Sequence, residues 1–218
     1  MLPPIIPIFP LPNAVLFPNV FLPLHIFEPR YREMIADALA SDRLIGMVLL
    51  RPGWERDYEG RPSVYPIGCS GVITHVERLP DGRYNIVLRG LERFRIVSED
   101  QTKIYRRATI EPLLERQLGA DERQVVRTAR AKLEALLTAT LRRAHGEPAD
   151  TTPDLRTAGA MCDEDLVNAL AQYLDLDPLE RQALLEHDSL VTRAESLVEL
   201  LEMKILIART PGLSNVAH

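Results

Sequence analysis

Prolines are crowded into the first 29 residues of this chain and restrict what that segment can form. Eight of the 17 prolines lie there, namely Pro3, Pro4, Pro7, Pro10, Pro12, Pro18, Pro23 and Pro29. Because proline fixes φ and has no backbone N–H, this spacing excludes a helix and confines strands to edges, ends and bulges. The residues between the prolines are mostly Ile, Val, Leu and Phe, so we expect buried short strands at Ile5–Phe9 and Val20–Ile26.

The rest of the first half is predicted to be rich in strands, with one helix. That helix is expected over Pro29–Ala40, because proline suits the first helical position. The polar stretch Arg51–Tyr65 is predicted to be a long loop. Further short strands are expected at Leu44–Leu50, Val72–Leu79, Tyr84–Leu88, Arg93–Val97 and Ile104–Leu114, with a break at Gly90. About seven short strands favour a barrel or a sandwich.

From about Asp121 the apolar residues recur with the 3.6-residue period of a helix. Helices are expected to begin near Asp121 and Asp163, each with the aspartate as N-cap, and at Asp177-Pro178, with a last helix from Leu190. The second half is therefore predicted to be an α-helical bundle. The predicted fold class is α+β, with a β-rich domain at residues 1–117 and a helical domain at residues 118–218.

Charge and cysteine content limit the classes of partner and compartment. The net charge is -5, so the molecule as a whole has no basic field to attract phosphate backbones. Cys69 and Cys162 are the only two cysteines and form no disulfide framework. No apolar run approaches the roughly 20 residues that span a bilayer, and no signal peptide is recognisable at the N-terminus. We expect a cytoplasmic protein without a membrane partner.

Motifs for catalysis, metals and cofactors are not evident in the sequence. The chain has no phosphate-binding loop with its lysine. Ser70 lies in Gly68-Cys69-Ser70-Gly71, which departs from the spacing of a nucleophile turn, and His75 follows five residues later. The histidines share no metal-ligand spacing, and His25 is expected to be a core or half-buried residue with one hydrogen bond. We therefore predict no catalytic residue, metal or cofactor.

Five arginines cluster in the β-rich half, namely Arg89, Arg93, Arg95, Arg106 and Arg107. Clustered arginines can contact RNA, but here acidic residues interleave with them and few aromatic residues are available to stack on bases. A solvated, ion-paired strand face is the preferred interpretation. Nucleic acid is accordingly not the expected partner.

Specific motifs in the first half resemble a known family. Residues 9–18 (FPLPNAVLFP) and 22–31 (LPLHIFEPRY) resemble the N-terminal domain of Lon proteases, and more closely the stand-alone bacterial proteins built from that domain alone. Further matches are Gly46-Met47-Val48, Tyr65-Pro66-Ile67-Gly68-Cys69, residues 79–85 (LPDGRYN) and residues 89–94 (RGLERF). The similarity covers nearly the whole chain, although the helical half matches by pattern rather than by motif.

The resemblance implies a PUA-like β pseudo-barrel with one helix, followed by a helical bundle. In Lon this region helps to recognise substrate proteins and supports assembly, whereas the ATPase and the Ser-Lys peptidase lie further along that chain. Because this chain ends at His218, we expect neither activity, even where relatives are called peptidases. The resemblance thus implies a non-catalytic interaction module, with unfolded or exposed apolar protein segments, and a Lon-type protease or another protein, as partners.

The candidate protein-binding residues lie in two segments. The first is the junction between a strand and the helix, with Phe27, Glu28, Arg30, Tyr31 and Arg32; the second is the long loop, with Trp54, Tyr58 and Tyr65. At the junction, unpaired N–H groups of the first helical turn, two arginines expected to be exposed and an aromatic surface favour binding of an extended or apolar polypeptide.

Other interpretations of the same residues remain open at this stage. The two junction aromatics can instead hold the helix against the barrel, with Glu28 as its cap, and the loop aromatics can pin the loop to the body of the protein. At the level of function, the alternatives are an RNA-binding PUA-like module, since that fold includes RNA binders, and an enzyme whose site is not recognisable from sequence.

Overall fold

The computed structural model describes residues 2–58, 60–144 and 161–209. The chain divides into two compact units, the first made of Met1–Leu114 and Asn168–Glu186 and the second of Glu115–Val167 and His187–His218. A segment from the helical half of the sequence thus belongs to the same unit as the strands. The two-domain division at residue 117 stays a prediction.

The first unit contains six strands in the part of the chain that the structure describes. They are β1 (Ile5–Leu11), β2 (Phe21–Ile26), β3 (Leu44–Leu49), β4 (Ile67–Arg78), β5 (Tyr84–Asp100) and β6 (Arg107–Leu113). Helix α1 covers Pro29–Leu39, and a short 3-10 helix covers Trp54–Asp57 within the long loop. The predictions of the first two strands, of helix α1 and of the buried third strand are confirmed to within one or two residues.

The strands form one mixed sheet that closes on itself. Their order is β2-β5-β4-β3-β1-β6, and β5 also pairs with β6, so that β1, β3, β4, β5 and β6 complete a ring. Strand β2 lies outside this ring and, in the part of the chain that the structure describes, pairs only with β5, over Tyr84–Arg89, whereas β6 pairs with Arg93–Asp100 of β5. With the helices that follow, this arrangement confirms the predicted α+β fold with a β pseudo-barrel.

The barrel interior is apolar and includes the proline-rich N-terminal segment. One cluster of buried side chains joins the N-terminal strand β1 to β3, β5 and β6. Its members are Ile6, Ile8, Val48, Phe94, Ala108 and Ile110. Residues between the prolines, such as Leu16 and Phe17, are also fully buried. The prediction that this segment is extended and buried is therefore confirmed.

Strand β5 differs from its prediction because Gly90 does not interrupt it. Two short strands were expected, but one strand of 17 residues passes through this glycine. Its backbone N–H donates to the carbonyl of Val20 (2.8 Å), and its own carbonyl accepts from Asn19 (3.0 Å). A Cβ atom on Gly90 would lie 2.0 Å from the backbone oxygen of Phe17. The glycine therefore permits a close approach of two backbone segments and does not end the strand.

Two other strands have different starts from those predicted. Strand β4 begins at Ile67 rather than Val72, so that residues 68–71 lie within the strand, and β6 begins at Arg107 rather than Ile104. In addition, the long loop is partly ordered by a bridge between Leu50 and Val64. Short apolar runs interrupted by small residues are difficult to bound from sequence, because backbone pairing with neighbouring strands extends them.

The helices after the barrel are α2 (Ala120–Ala144), α3 (Asp163–Tyr173), α4 (Pro178–Glu186) and α5 (Leu190–Arg209). Within the second unit α2 packs against α5, and Lys132 and Glu202 form an ion pair across them (2.9 Å). The predicted start at Asp177-Pro178 is confirmed, since the backbone N–H of Asp177 donates to the Glu180 carboxylate (2.7 Å). No helix in the described ranges is long and apolar enough to cross a membrane.

The expected N-cap of α2, Asp121, is wrong by two residues, because the residue that precedes the helix is Gly119. The helix begins at Ala120, which places Asp121 inside the first turn. The carboxylate of Glu122 accepts from the backbone N–H of Gly119 (2.9 Å) and pairs with Arg116. A carboxylate that reaches back to a preceding N–H group satisfies a donor at the helix start as well as a cap does.

Replacing Gly90 with alanine tests whether close backbone approach, rather than flexibility, requires this glycine. We expect Gly90→Ala to reduce the free energy of unfolding by more than about 3 kcal/mol, because the added Cβ meets a backbone atom that no rotamer change can move. Chemical denaturation measures the loss. The control Gly119→Ala adds a Cβ in ordinary contact with the Glu122 side chain and should change stability by less than about 0.5 kcal/mol. Equal stabilities for the two variants would contradict this role.

Candidate functional site

The junction between β2 and α1 is joined to the long loop by a group of polar contacts, here called the junction cluster (Glu28, Arg30 and Tyr58). The hydroxyl of Tyr58 donates to one carboxylate oxygen of Glu28 (2.6 Å), and Nε of Arg30 donates to the other (3.0 Å). Nη2 of Arg30 also approaches the backbone oxygen of Tyr58 (3.4 Å), and its guanidinium lies over the Tyr58 ring. Tyr58 of the loop is thus joined to two residues of the junction that precede it by 30 and 28 positions in the sequence.

Local sequence explains why Glu28 is available to this cluster. The residue before a proline is disfavoured in the helical region, and Glu28 is accordingly extended, with φ -64° and ψ 135°. It occupies the N-cap position of α1, but its side chain makes no capping hydrogen bond. The expectation that Glu28 caps the helix is therefore wrong, because the carboxylate is directed to Arg30 and Tyr58 instead.

The electrostatics of the cluster favour a neutral Tyr58 and a charged Arg30. Partial burial raises the pKa of the Tyr58 hydroxyl, and its hydrogen bond to the Glu28 carboxylate raises that pKa further. Burial by itself lowers the pKa of Arg30, but Tyr31, Glu28 and Tyr58 together bring it above its ordinary value. Tyr58 therefore remains a hydrogen-bond donor at neutral pH, and the ion pair persists.

Arg30 is less exposed than the sequence suggested. Its side chain is one-fifth exposed, and the Glu28 side chain is similarly covered. The expectation that Arg30 is a free surface cation is wrong, because its guanidinium is engaged by a carboxylate, a carbonyl and two aromatic rings. Arg32 lies apart from this group, with its guanidinium over Gly82 in the turn between β4 and β5.

The two junction aromatics have different roles. Tyr31 is buried, and its ring packs on that of Phe9 at 4.4 Å between centroids, which confirms that it holds α1 against the barrel. Phe27 is 59% exposed and lies beside the ring of His25 (6.2 Å), so it does not hold the helix. Of the two, only Phe27 presents its apolar surface to solvent.

The loop aromatics also divide into two groups. Trp54 is half-buried and meets the edge of the Tyr58 ring at 5.4 Å, which connects it to the junction cluster. Tyr65 lies elsewhere, beneath the guanidinium of Arg51 (5.0 Å). The loop is therefore pinned to the barrel through Tyr58, as one of the sequence interpretations held.

Phe27 borders a cleft of about 420 Å³ whose other walls are Glu28, Pro29, Arg30 and Tyr58. Its lining combines an exposed phenyl ring and a proline with an ion pair whose members are already bonded to each other. Such a surface can bind apolar groups and orient a polar chain beside them. The Glu28 carboxylate accepts one hydrogen bond on each oxygen, from Tyr58 and Arg30, which fixes its orientation in the cleft.

The earlier candidates for other chemistry are separated in the structure. The buried hydroxyl of Ser70 donates to the backbone oxygen of Glu92 (2.9 Å), whereas His75 is exposed. His25 is exposed rather than core or half-buried, with Nδ1 2.7 Å from Oδ1 of Asn85. Among residues 2–58, 60–144 and 161–209, no three His, Cys, Asp or Glu side chains are grouped to hold a metal ion.

The arginine cluster is not a continuous solvated face, contrary to expectation. Arg93 is buried and donates to the backbone oxygen of Leu185 (2.9 Å). Arg106 is buried against Glu99 and donates to the carbonyl of Pro62 (2.7 Å). These two guanidinium groups hold neighbouring segments in place. The sequence could not show this, because each accepting carbonyl lies 44 or more residues away from its arginine.

A second hollow near β2 was not singled out from the sequence. It measures about 350 Å³ and is lined by β2, β4 and β5, with Pro23, His25, His75 and Val87 among its residues. The sequence of this strand, Phe-Leu-Pro-Leu-His-Ile, has one polar residue and no alternation of polar and apolar side chains, so it indicated no solvent-facing side. The alternation of exposed and more buried residues, and the position of the strand at the end of the sheet, are seen only in the structure.

Comparisons with known proteins agree with the motifs described above. The family model for the ATP-dependent protease La (LON) substrate-binding domain matches residues 5–203. Lon protease of Anaeromyxobacter dehalogenans is 28% identical over 209 residues, which are 93% of this chain and 24% of that protein. Lon protease 2 of Myxococcus xanthus is 29% identical over 209 residues, with the same two shares.

Two solved structures share the fold. The N-terminal domain of Mycobacterium avium complex Lon protease has a TM-score of 0.64 at 18% identity and covers 91% of this chain and 98% of its own. A Lon N-terminal domain protein from Xanthomonas campestris has a TM-score of 0.56 at 22% identity, with 95% and 99% coverage. The chain spans about a quarter of the length of the curated relatives it matches.

Removing one hydroxyl tests whether the junction cluster holds the loop. We expect Tyr58→Phe to lower the free energy of unfolding by about 1–2 kcal/mol, because a half-buried carboxylate loses a donor. The loosened loop should also be cut several-fold faster by trypsin at the exposed Arg56. Tyr65→Phe is the matched control, since its hydroxyl has no hydrogen-bond partner within the described part of the chain. Equal cleavage of both variants and the parent protein would show that the loop is held by other contacts.

Proposed function

Because the chain belongs to the ATP-dependent protease La (LON) substrate-binding domain family, we propose that it is a non-catalytic module that binds exposed apolar or extended segments of other proteins. The matched region is the substrate-binding part of relatives that are about four times longer. The activities of those whole proteins are not part of this proposal. The proposed partners are unfolded or partly unfolded polypeptides, with a Lon-type protease as a further protein partner.

The observation that carries the proposal is the position of Phe27 beside a polar cleft with fixed walls. Its ring is 59% exposed, although the residues on either side of it, Ile26 and Glu28, are buried or half-buried. Aromatic side chains that remain exposed next to a rigid cleft are frequent anchors of protein–protein contacts. The junction cluster supplies the rigidity, because Glu28, Arg30 and Tyr58 are bonded to one another before any partner binds.

The same geometry supports a binding role over an enzymatic one. The half-buried charged groups of the cleft neutralise each other, and Tyr58 remains protonated at neutral pH. Covalent and acid–base catalysis pair a nucleophile with a base, and the residues that line this cleft include no Ser, Thr, Cys or His beside the Glu28 carboxylate. The cleft is therefore suited to hold a polypeptide without altering it.

The RNA-binding alternative has less support from the contacts. Arg93 and Arg106 are buried in intramolecular bonds, and Arg107 pairs with Asp100 (3.4 Å). Arg89 and Arg95 alone of the five clustered arginines remain exposed without such partners. Sequence-tolerant binding of single strands requires a basic groove with stacking aromatics, and two arginines are few for that purpose. A cytoplasmic location is proposed because Cys69 and Cys162 are not joined in a disulfide.

Replacement of the exposed aromatic anchor tests the proposal. The probe is a reduced and S-carboxymethylated protein, which stays unfolded without denaturant, titrated at tens of micromolar with fluorescence anisotropy as the readout. We expect Phe27→Ser to bind it at least about fivefold more weakly than the parent protein, because a desolvated aromatic contact is lost. Its melting temperature should change little, since the ring is mostly in solvent.

Val97→Ser is the matched control, because Val97 is 63% exposed on β5 of the same unit but lies outside the cleft. It should bind as the parent protein does. Absence of binding by the parent protein would remove the proposed function. A shift with mixed RNA at low ionic strength that disappears on adding salt, without any binding of the unfolded protein, would favour the RNA-binding module instead.

A further inference from the structure

Two strand segments of the first unit have an edge that faces no other strand within the described residues. One is β2, which pairs only with β5. The other is the end of β4 after Ile73, because the pairing of β3 with β4 stops at Leu44 and Val72. Unpaired strand edges present backbone N–H and C=O groups to solvent and can accept another strand. Among the described residues, each strand of the ring pairs with a neighbour on both sides over part of its length.

The two edges differ in how far they are protected. The free part of β4 carries exposed charged residues, Glu77 and Arg78, and its pairing with β5 is irregular between Ile73 and His75. Charges, bulges and prolines are the usual means by which proteins keep edges from pairing, and β2 carries one of them, Pro23. Strand β2 has no Asp, Glu, Lys or Arg, and its pairing with β5 is regular along all six residues. Of the two, β2 is the edge open to a partner strand.

Two hydrogen bonds show which backbone groups of β2 face outward. The carbonyl of Val20 accepts from Gly90 of β5, so that residue is directed inward. The carbonyl of Phe21 instead accepts from the Tyr173 hydroxyl (3.0 Å), which lies on the other side. Because direction alternates along a strand, the groups of Pro23 and His25 also face outward. Pro23, which lacks an N–H, thus occupies a position where β5 needs no donor from it.

This alternation leaves a short set of available groups. Tyr173 already occupies the Phe21 carbonyl, and proline has no donor to offer. Among the described residues, no partner is seen for the N–H groups of Phe21 and His25 or for the carbonyls of Pro23 and His25. They span the strand from end to end, so a partner segment of four or five residues would meet a donor at both ends and an acceptor between them.

Side chains along the same edge are apolar and incompletely covered. Leu22 and Leu24 point to the more buried side of the sheet but are only half-buried, because no strand lies beyond them. Phe21 is 48% exposed at one end of the strand, and Phe27 is 59% exposed just past the other end. A strand placed on this edge would cover all four side chains.

We propose that an extended, apolar segment of a client polypeptide adds as a further strand to the outer edge of β2. This inference rests on the proposed function and specifies how the client is held: backbone hydrogen bonds to Phe21, Pro23 and His25, with apolar side chains against Leu22 and Leu24. Strand addition is a recurrent mode of peptide recognition, in which the backbone supplies affinity independent of sequence. It suits a module that must bind unfolded proteins of many sequences, and its far end leads to Phe27 and the junction cleft.

Backbone-modified peptides separate this mode from a contact made by side chains alone. The probe is a fluorescent peptide of about nine residues in which Val and Thr alternate, with terminal lysines for solubility. One derivative is N-methylated at its consecutive central residues, which blocks both of its edges. A second is N-methylated at alternate residues, which leaves one edge intact. We expect the first derivative to bind the full chain at least about tenfold more weakly and the second to bind nearly as well as the unmodified peptide.

A pair of variants tests the assignment to β2. His25→Pro removes one outward N–H, whereas His25→Ala removes the same ring but keeps that N–H. We expect His25→Pro to bind the unmodified peptide about fivefold more weakly than His25→Ala does. Thermal melting of both variants reports whether the proline is tolerated. If His25→Pro does not fold, the comparison of the methylated peptides with the parent protein decides the proposal without it.

The outcomes distinguish this inference from the proposed function. Equal binding of all three peptides would overturn strand addition, even where the unfolded protein binds and Phe27→Ser weakens it. Failure of both the peptide and the unfolded protein to bind would remove the proposed function together with the inference. Concentration-dependent dimers of the parent protein that His25→Pro abolishes, with no peptide binding, would assign the β2 edge to a second copy of the chain and overturn the client as its occupant.

Discussion

The backbone of β5 forms hydrogen bonds with three strands, and the arrangement of the first unit depends on its length. Strand β4 follows one side of β5 from Tyr84 to Arg95, whereas β2 and β6 share the other side, one after the other. The division occurs around Gly90, where the backbone of the Phe17–Val20 segment approaches so closely that a side chain would clash. A residue with a Cβ would force the two segments apart and separate β2 from the barrel. One side of β5 thus carries both β6, which closes the ring, and β2, whose outer edge has no charged residue.

Polar interactions then determine which surfaces remain available to a partner. Buried arginines bond to backbone carbonyls far away in sequence, such as Arg93 to Leu185 and Arg106 to Pro62, and so attach loops and helix ends to the barrel. The junction cluster does the same for the long loop. Because these charges are compensated internally, the surface beside them is left to Phe27 and the β2 edge, which offer apolar contact and backbone hydrogen bonds. Both properties favour partners that are recognised as unfolded chains rather than by sequence.

The candidate site was predictable in part, and individual residues show why. Six of the eight predicted residues lie in or directly against the junction cluster: Phe27, Glu28, Arg30, Tyr31, Trp54 and Tyr58. Their roles were less predictable. The local pattern around Pro29 suggested a capping Glu28 and an exposed Arg30, because a sequence pattern considers only near neighbours. Tyr58, the contact that changes both roles, is 30 residues away from Glu28.

The sequence by itself determined the extended, buried N-terminal segment, the single early helix, the change to helices after the strands and the family. These follow from proline chemistry, from the spacing of apolar residues and from motifs, all of which act over a few residues. Only the tertiary structure decided that β5 continues through Gly90, that Arg93 is buried, that Tyr58 bonds to Glu28 and that β2 ends a sheet. Each of these depends on which distant backbone or side chain supplies the partner, and hydrogen bonds between distant segments leave no periodic signal in the sequence.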